Sequence, residues 1–293
     1  KKRLNILEKN QNFIFAEGML EDQKKIEIFA NKHQPEIIIH LAAQAGVRYS
    51  LENPRAYIET NINGTFNVME IAKNLKVKHL LMASTSSVYG ANTDVPFMEN
   101  SKADTQLTIY AATKKANESM AHSYSYLWGI PITMFRFFTV YGPWGRPDMA
   151  LFKFVSAIFN NQPIDIYNNG KMDRDFTYVD DLVNGIKLLI NIIPNDDLKK
   201  KFDNGDSQSP VAPYRIVNVG NSERINLLDF IEAIENILGK KAIRNYMPMQ
   251  MGDVKSTWAN TNLLKKLTGY RPETNYKIGV KKFIEWYREY YKK

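Results

Sequence analysis

The chain has 293 residues, 44% apolar and 24% charged, enough for a large buried core and inconsistent with a disordered or a small disulfide-stapled protein. Its net charge of +8 is scattered over short lysine pairs such as Lys24-Lys25 and Lys240-Lys241. No basic stretch is interleaved with aromatics, so nucleic acid is excluded as a partner in favour of solvated helix faces and a small anionic substrate. The lack of cysteine excludes disulfides, Cys-bound zinc and thiol nucleophiles. No apolar run approaches the roughly 18 residues of a membrane span, so the expected setting is cytoplasmic with no membrane partner. His33, His40, His79 and His122 lack ligand spacing, and no metal is expected.

In chain order, Lys1 to Asn12 is a charged amphipathic piece and Asn12 to Ala16 a strand. A helix follows from Leu20 to Lys32. The strand Glu36 to Leu41 then runs into Ala42-Ala43-Gln44-Ala45-Gly46, small enough for the backbone to approach a ligand closely. Pro54 to Leu75 is helical, Lys78 to Ala83 a buried strand, residues 107–124 a helix, and Pro131 to Phe138 another buried strand. This alternation predicts an α/β fold with a doubly wound parallel sheet.

From Met149 the rhythm loosens. Helix Ala150 to Asn160 leads to a hairpin-like piece through Tyr167 and Gly170, and residues 174–180 open a helix that ends at Ile193. The charged, then Ser/Pro-rich stretch from Asp196 to Pro213 reads as a long, mobile or substrate-facing loop. Strand Arg215 to Val219, helix Asn226 to Leu238 with Asn226 as N-cap, and helices over Thr261 to Lys266 and Ile278 to Tyr291 complete the chain.

The stretch from Ser84 to Lys114 carries the chemistry. A buried strand delivers Ser84-Thr85-Ser86-Ser87 at its carboxyl end, where open α/β sheets place ligands. Tyr110 and Lys114 stand one helical turn apart on one face. An ammonium beside a phenol favours phenolate and brings the tyrosine from about 10 towards neutrality, as a general base requires. A Tyr-x-x-x-Lys pair alone is common surface decoration, so the strand end and its hydroxyls carry the weight.

Five motifs in order, His40-Leu-Ala-Ala43, Asn61-x-Asn-Gly-Thr65, Ala83-Ser-Thr-Ser-Ser-Val-Tyr-Gly90, Tyr110-x-x-x-Lys114 and Arg174-Asp-Phe-Thr-Tyr-Val-Asp-Asp181, resemble the extended short-chain dehydrogenase/reductase family of NAD-dependent epimerases and dehydratases. The resemblance covers nearly the whole chain. Within the family, residues 136–150 and Ser209-Pro-Val-Ala-Pro-Tyr214 look most like the UDP-glucuronate 4-epimerases.

The resemblance implies a Rossmann-like NAD-binding domain over 1–148, to which later segments return, and a smaller lobe, mainly 149–293, that binds a nucleotide sugar. It implies inversion of C4 of a UDP-sugar, most of all UDP-glucuronate to UDP-galacturonate, through a 4-keto intermediate. Tyr110 is then the base, Lys114 its partner and a ribose ligand, and Thr85 the hydrogen-bond donor to the reacting oxygen. Leu20, Leu41, Ala42, Ala43, Gln44, Thr60 and Phe138 line NAD together with Tyr110 and Lys114, Phe138 abutting the nicotinamide. Ser86, Ser87 and Thr139 meet the sugar, Arg146 grips its carboxylate in a two-point fork, and Arg174 and Asp253 hold the UDP. A homodimer through the Leu51 to Lys73 and Tyr110 to Tyr126 helices follows from family habit.

The chain departs from the family pattern at its start, where the first strand, a Gly-x-x-Gly-x-x-Gly turn, a helix and a second strand, about 40 to 50 residues of βαβ unit, are not in the sequence. The resemblance implies that this start is missing from the chain. Met19 stands where relatives carry an aspartate that reaches adenine, and a thioether cannot accept that hydrogen bond. Three other readings compete. A 4,6-dehydratase needs an Asp-Glu pair where Ser86-Ser87 stands, and two hydroxyls cannot deprotonate C5. A 4-epimerase of neutral UDP-sugars is opposed only by the Thr139 to Arg146 loop. A non-catalytic NAD- or nucleotide-sugar-binding protein would have no need of the Thr85, Tyr110 and Lys114 set.

Overall fold

The structure, a computed structural model, describes residues 2–195 and 205–292, so half of the long loop expected from Asp196 to Pro213 lies outside the described residues. Helix α1 (Lys2–Leu7) buries no side chain, and α2 (Gln23–His33) is capped by Asp22, which accepts the Lys25 amide. The strand expected over Asn12 to Ala16 does not form, and Ile14 and Phe15 are exposed. Apolar residues alone do not make a strand. Their backbone groups need a neighbouring ladder, and none of the described strands offers one here.

Strand β1 (Ile37–His40) opens the main sheet. The single helix expected from Pro54 to Leu75 is present with one widened turn. After α3 (Tyr49–Glu52), α4 (Pro54–Tyr57) passes through a π-helical segment, Ile58–Gly64, into α5 (Thr65–Leu75). Then come β2 (His79–Thr85), α6 (Ile109–Trp128), whose N-cap Thr108 accepts the Ala111 amide at 3.2 Å, and β3 (Ile132–Phe137). The remainder comprises β4 (Thr139–Tyr141), α7 (Ala150–Phe159), β5 (Pro163–Ile166), β6 (Asp173–Arg174), β7 (Phe176–Tyr178), α8 (Val179–Leu189), β8 (Tyr214–Val219), β9 (Ile225–Asn226), α9 (Leu227–Leu238), β10 (Ile243–Tyr246), α10 (Asn262–Thr268) and α11 (Tyr276–Tyr291).

Strands β1, β2, β3 and β8 form a parallel sheet in that order, with His40 beside Met82, Thr85 beside Phe137, and Phe137 beside Val219. Successive side chains point to opposite faces. Leu80, Met82, Ile132 and Met134 pack on Val68 and Met69 of α5 and Ala121 of α6. Leu81, Phe135, Val217 and Val219 pack on Leu182 and Ile186 of α8 and Leu263 of α10. Helices on both faces make the sheet doubly wound, and α8, β8 and α10, all from beyond residue 149, belong to it.

A second core gathers Leu151, Phe154, Ile164, Phe176, Phe230, Phe283 and Tyr287 from α7, β5, β7, α9 and α11. Here the local expectation gives way. No hairpin forms through Tyr167 and Gly170, because Asn168 and Asn169 take left-handed conformations (φ 50°) and β5 pairs in parallel with the distant β10. The described part of the long loop is not substrate-facing. Ser209 Oγ lies 2.8 Å from His122 Nε2 beside the start of β8, at the amino ends of the strands.

Candidate active site

Strand β2 ends at Thr85, whose Oγ1 accepts the Ser87 amide at 3.2 Å and so starts the short 3-10 turn Ser86–Tyr89. Gly90 then follows with φ 57°, and a Cβ there would lie 2.0 Å from the Thr105 carbonyl oxygen, so only glycine lets the chain turn back towards α6. The Thr85 hydroxyl donates to Ser87 Oγ at 3.3 Å and lies near enough to the Tyr110 phenol to favour its ionised form, and the Tyr57 ring meets the Tyr110 ring edge-on at 6.0 Å. Thr85, Tyr110 and Lys114 are thus brought together at the carboxyl edge of the sheet.

Burial sets the electrostatics of this cluster. It raises Tyr110 above the usual tyrosine value, against the Thr85 hydrogen bond and the Arg146 charge, which lower it. Lys114 is 3% exposed, and burial lowers it to about 8 while the Glu118 charge opposes the shift. Removing the phenolate from water costs more than the Thr85 and Arg146 contributions return.

Below the cluster lies a network that sequence reasoning overlooked. Glu118, one turn beyond Lys114, accepts from Arg136 Nε and Nη2 at 2.9 Å each and from Ser84 Oγ at 2.7 Å. Arg136 also donates to the Glu99 carbonyl at 2.9 Å and covers the Tyr89 ring at 4.7 Å. Burial pushes Glu118 up, but the Arg136 hydrogen bonds and charge outweigh it and hold the carboxyl below its usual range. The only hint in the sequence was the four-residue spacing of Lys114 and Glu118. His40, 3.0 Å from Thr65 Oγ1, is lowered to about 3 by burial and by Lys114 and stays neutral.

The residues expected to line a dinucleotide follow the end of β1. Leu41 and Ala42 are exposed, and the Gln44 backbone is fixed at both ends by Asn61, which accepts its N–H at 2.8 Å and donates to its carbonyl at 3.0 Å. The widened helical turn is what aims Asn61 there, and Asn61 also donates to Thr113 Oγ1 at 3.0 Å. Thr60 donates to Glu21, and the Leu20 carbonyl accepts from Asn67 Nδ2 at 2.9 Å. Phe138 is 6% exposed and packs in a cluster with Tyr89, Phe97 and Ala259. An exposed apolar strip beside a hydroxyl, a phenol and an ammonium fits the ribose and nicotinamide of NAD, which need a flat apolar wall and donors to sugar hydroxyls.

On the other side a cavity of about 640 Å³ opens between the main sheet and the second core, lined by Thr139, Asp148, Lys153, Tyr167, Arg174 and Asp253. A smaller one of about 50 Å³, which includes Ser86 and Ser87, shares Val47 and Asp253 with it. Arg174 Nη2 donates to Asp253 Oδ1 at 2.7 Å, so residues 79 positions apart become one ion pair on the cavity wall. In this structure the Arg146 guanidinium is engaged by a carboxylate of the chain itself. Its Nε donates to Asp148 Oδ1 at 3.0 Å and its Nη2 to Asp148 Oδ2, because the turn 146–148 brings this carboxylate back onto it.

The family model described as the NAD dependent epimerase/dehydratase family matches residues 2–202. A protein of Rhizobium meliloti (strain 1021) named "Probable UDP-glucuronate 4-epimerase" is 51% identical over 293 residues, 100% of this chain and 86% of that protein. Protein CapI of Staphylococcus aureus is 51% identical over 283 residues, 97% of this chain and 85% of CapI. Among solved structures, the UDP-glucuronic acid 4-epimerase from Bacillus cereus in complex with UDP-glucuronic acid and NAD superposes with a TM-score of 0.87 at 28% identity, over 99% of this chain and 86% of that one.

Proposed function

The chain belongs to the NAD dependent epimerase/dehydratase family, and from that premise we propose that it is an NAD-dependent epimerase that inverts C4 of UDP-glucuronate to give UDP-galacturonate. The carrying observation is the joint placement of Thr85, Tyr110 and Lys114 at the sheet edge beside the cavity holding the Arg174–Asp253 pair. Lys114 and Tyr110 would hold the cofactor ribose, and Leu20, Leu41, Ala42, Ala43, Gln44 and Thr60 would line the rest of the dinucleotide. NAD, when bound, would accept a hydride from C4 and give it back to the opposite face, so that no net oxidation results. Tyr110 takes the proton of the 4-hydroxyl and returns it to the same oxygen after the ring has turned, while Thr85 donates a hydrogen bond to that oxygen. Arg174 binds the diphosphate and Asp253 the ribose of UDP, and Ser86, Ser87 and Thr139 present hydroxyls to the sugar.

A 4-epimerase of neutral UDP-sugars is the second reading, favoured by one observation, the engagement of the Arg146 guanidinium by Asp148. The two are separated by incubating the protein and NAD with UDP-glucuronate or UDP-glucose and resolving the C4 epimers by proton NMR. UDP-galacturonate is expected from the first, and conversion of UDP-glucose alone would transfer the assignment to the second. The homodimer is part of the same proposal. Phe66 on α5 and Tyr126, Leu127 and Trp128 on α6 are exposed, while Tyr124 is buried and serves the core. Light scattering at the mass of two chains is expected. Among the described residues, no helix is long and apolar enough to cross a membrane.

A further inference from the structure

A guanidinium offers five hydrogens, one on Nε and two on each Nη, and both edges by which it can grip a carboxylate at two points include Nη2. In Arg146 the Nε hydrogen goes to Asp148 Oδ1, one Nη2 hydrogen to Asp148 Oδ2 and the other to the Ala45 carbonyl at 3.2 Å, so neither edge is open. The cavity of about 640 Å³ is lined by Asp148 and not by Arg146, which lines a smaller cavity adjoining it at Thr139, Met149 and Ala150. A half-exposed ion pair of this kind adds little to folding stability, so its presence beside the cavity calls for another explanation.

The reaction provides one. Inversion at C4 requires the 4-keto ring to present first one face and then the other. The carboxylate sits on C5, next to the reacting carbon, and a two-point clamp there would hold one face and deepen ground-state binding without aiding the reaction. Resting on the functional reading above, we propose that Asp148 is a specificity-determining residue that occupies the Arg146 fork, denies the sugar carboxylate a two-point clamp and leaves the ring free to turn.

The test uses the full chain with NAD and compares Asp148→Ala, and Asp148→Asn, which keeps the side-chain volume, with the parent. Calorimetric titration with UDP-glucuronate, UDP-glucose and UDP gives three Kd values for each protein, and kcat is measured on UDP-glucuronate. In both variants the Kd for UDP-glucuronate is expected to fall about tenfold, those for UDP-glucose and UDP to stay within about twofold, and kcat to drop several-fold. Adding Arg146→Ala is expected to abolish the selective tightening. Equal changes for the two sugars, no change in either variant, or tightening that survives Arg146→Ala overturns the proposal. Turnover of UDP-glucuronate by the parent with an unchanged Kd ratio in the variants overturns this inference alone, whereas a parent that binds neither nucleotide sugar overturns the functional reading together with it.

Discussion

The two halves of the site differ in how their charges are governed. Around Tyr110 the protein is closed: Lys114 is 3% exposed, and burial is the largest influence on Tyr110, Lys114 and His40 alike. Around the cavity the Arg174 and Asp253 side chains remain 17% and 29% exposed, and their pairing with each other does the positioning. A buried half can tune proton affinities, and an open half can exchange its own ion pair for a ligand's charges. Changes in the first half should therefore alter the chemical step or the fold, and changes in the second should alter binding.

The sharpest separation is expected from Tyr110→Phe. Loss of its proton transfer should lower kcat by about a thousandfold with little change in the Kd of the nucleotide sugar, the usual scale of general acid–base catalysis. Retained turnover would remove Tyr110 from the chemistry. Next in size, Glu118→Ala leaves Arg136 charged and unpaired inside the protein, and urea denaturation should report a loss of about 3 to 5 kcal/mol. A loss below about 1 kcal/mol would place this pair with surface ion pairs and break the contrast from the buried side.

For the open half, Arg174→Ala should raise KM about tenfold while kcat stays within a few-fold, the signature of uniform binding. A large fall in kcat at constant KM would show that the lobe takes part in the chemical step.

The smallest effect is on stability against pH. His40 is near 3 folded and 6.5 unfolded, so above 6.5 it is neutral in both states and its contribution is intact. As pH falls from 6.5 towards 3 the unfolded chain takes up a proton that the folded one refuses, and stability declines by about 1 kcal/mol per pH unit. Asp175, raised by burial to about 6, and Glu99, raised by burial to about 7, act in the opposite sense. Their stabilisation is present at low pH and is lost as pH rises through those values. The measurement is consequently a difference, the thermal midpoint of the parent minus that of His40→Gln between pH 6.5 and 5. A flatter acid limb in the variant is expected, and parallel curves would mean that His40 is protonated in the folded state.

The sequence by itself determined the doubly wound sheet, the strand that ends at Ser84-Thr85 and the helix that carries Tyr110 and Lys114. These rest on short-range regularities: period-two and period-3.6 burial, a strand followed at once by its hydroxyls, and two residues one turn apart. Tertiary structure alone decided the rest. Asn12 to Ala16 is apolar enough for a strand and forms none, since a strand exists only through a neighbour's backbone. Phe138 is packed among Tyr89, Phe97 and Ala259, partners distant in sequence. Burial is the largest influence on both Tyr110 and Lys114, and desolvation depends on every atom that excludes water from them. Arg146 was read as a carboxylate receptor from the family resemblance of its loop. Two residues away in sequence, Asp148 supplies a carboxylate that accepts from it, and only the conformation of the turn brings their charges together.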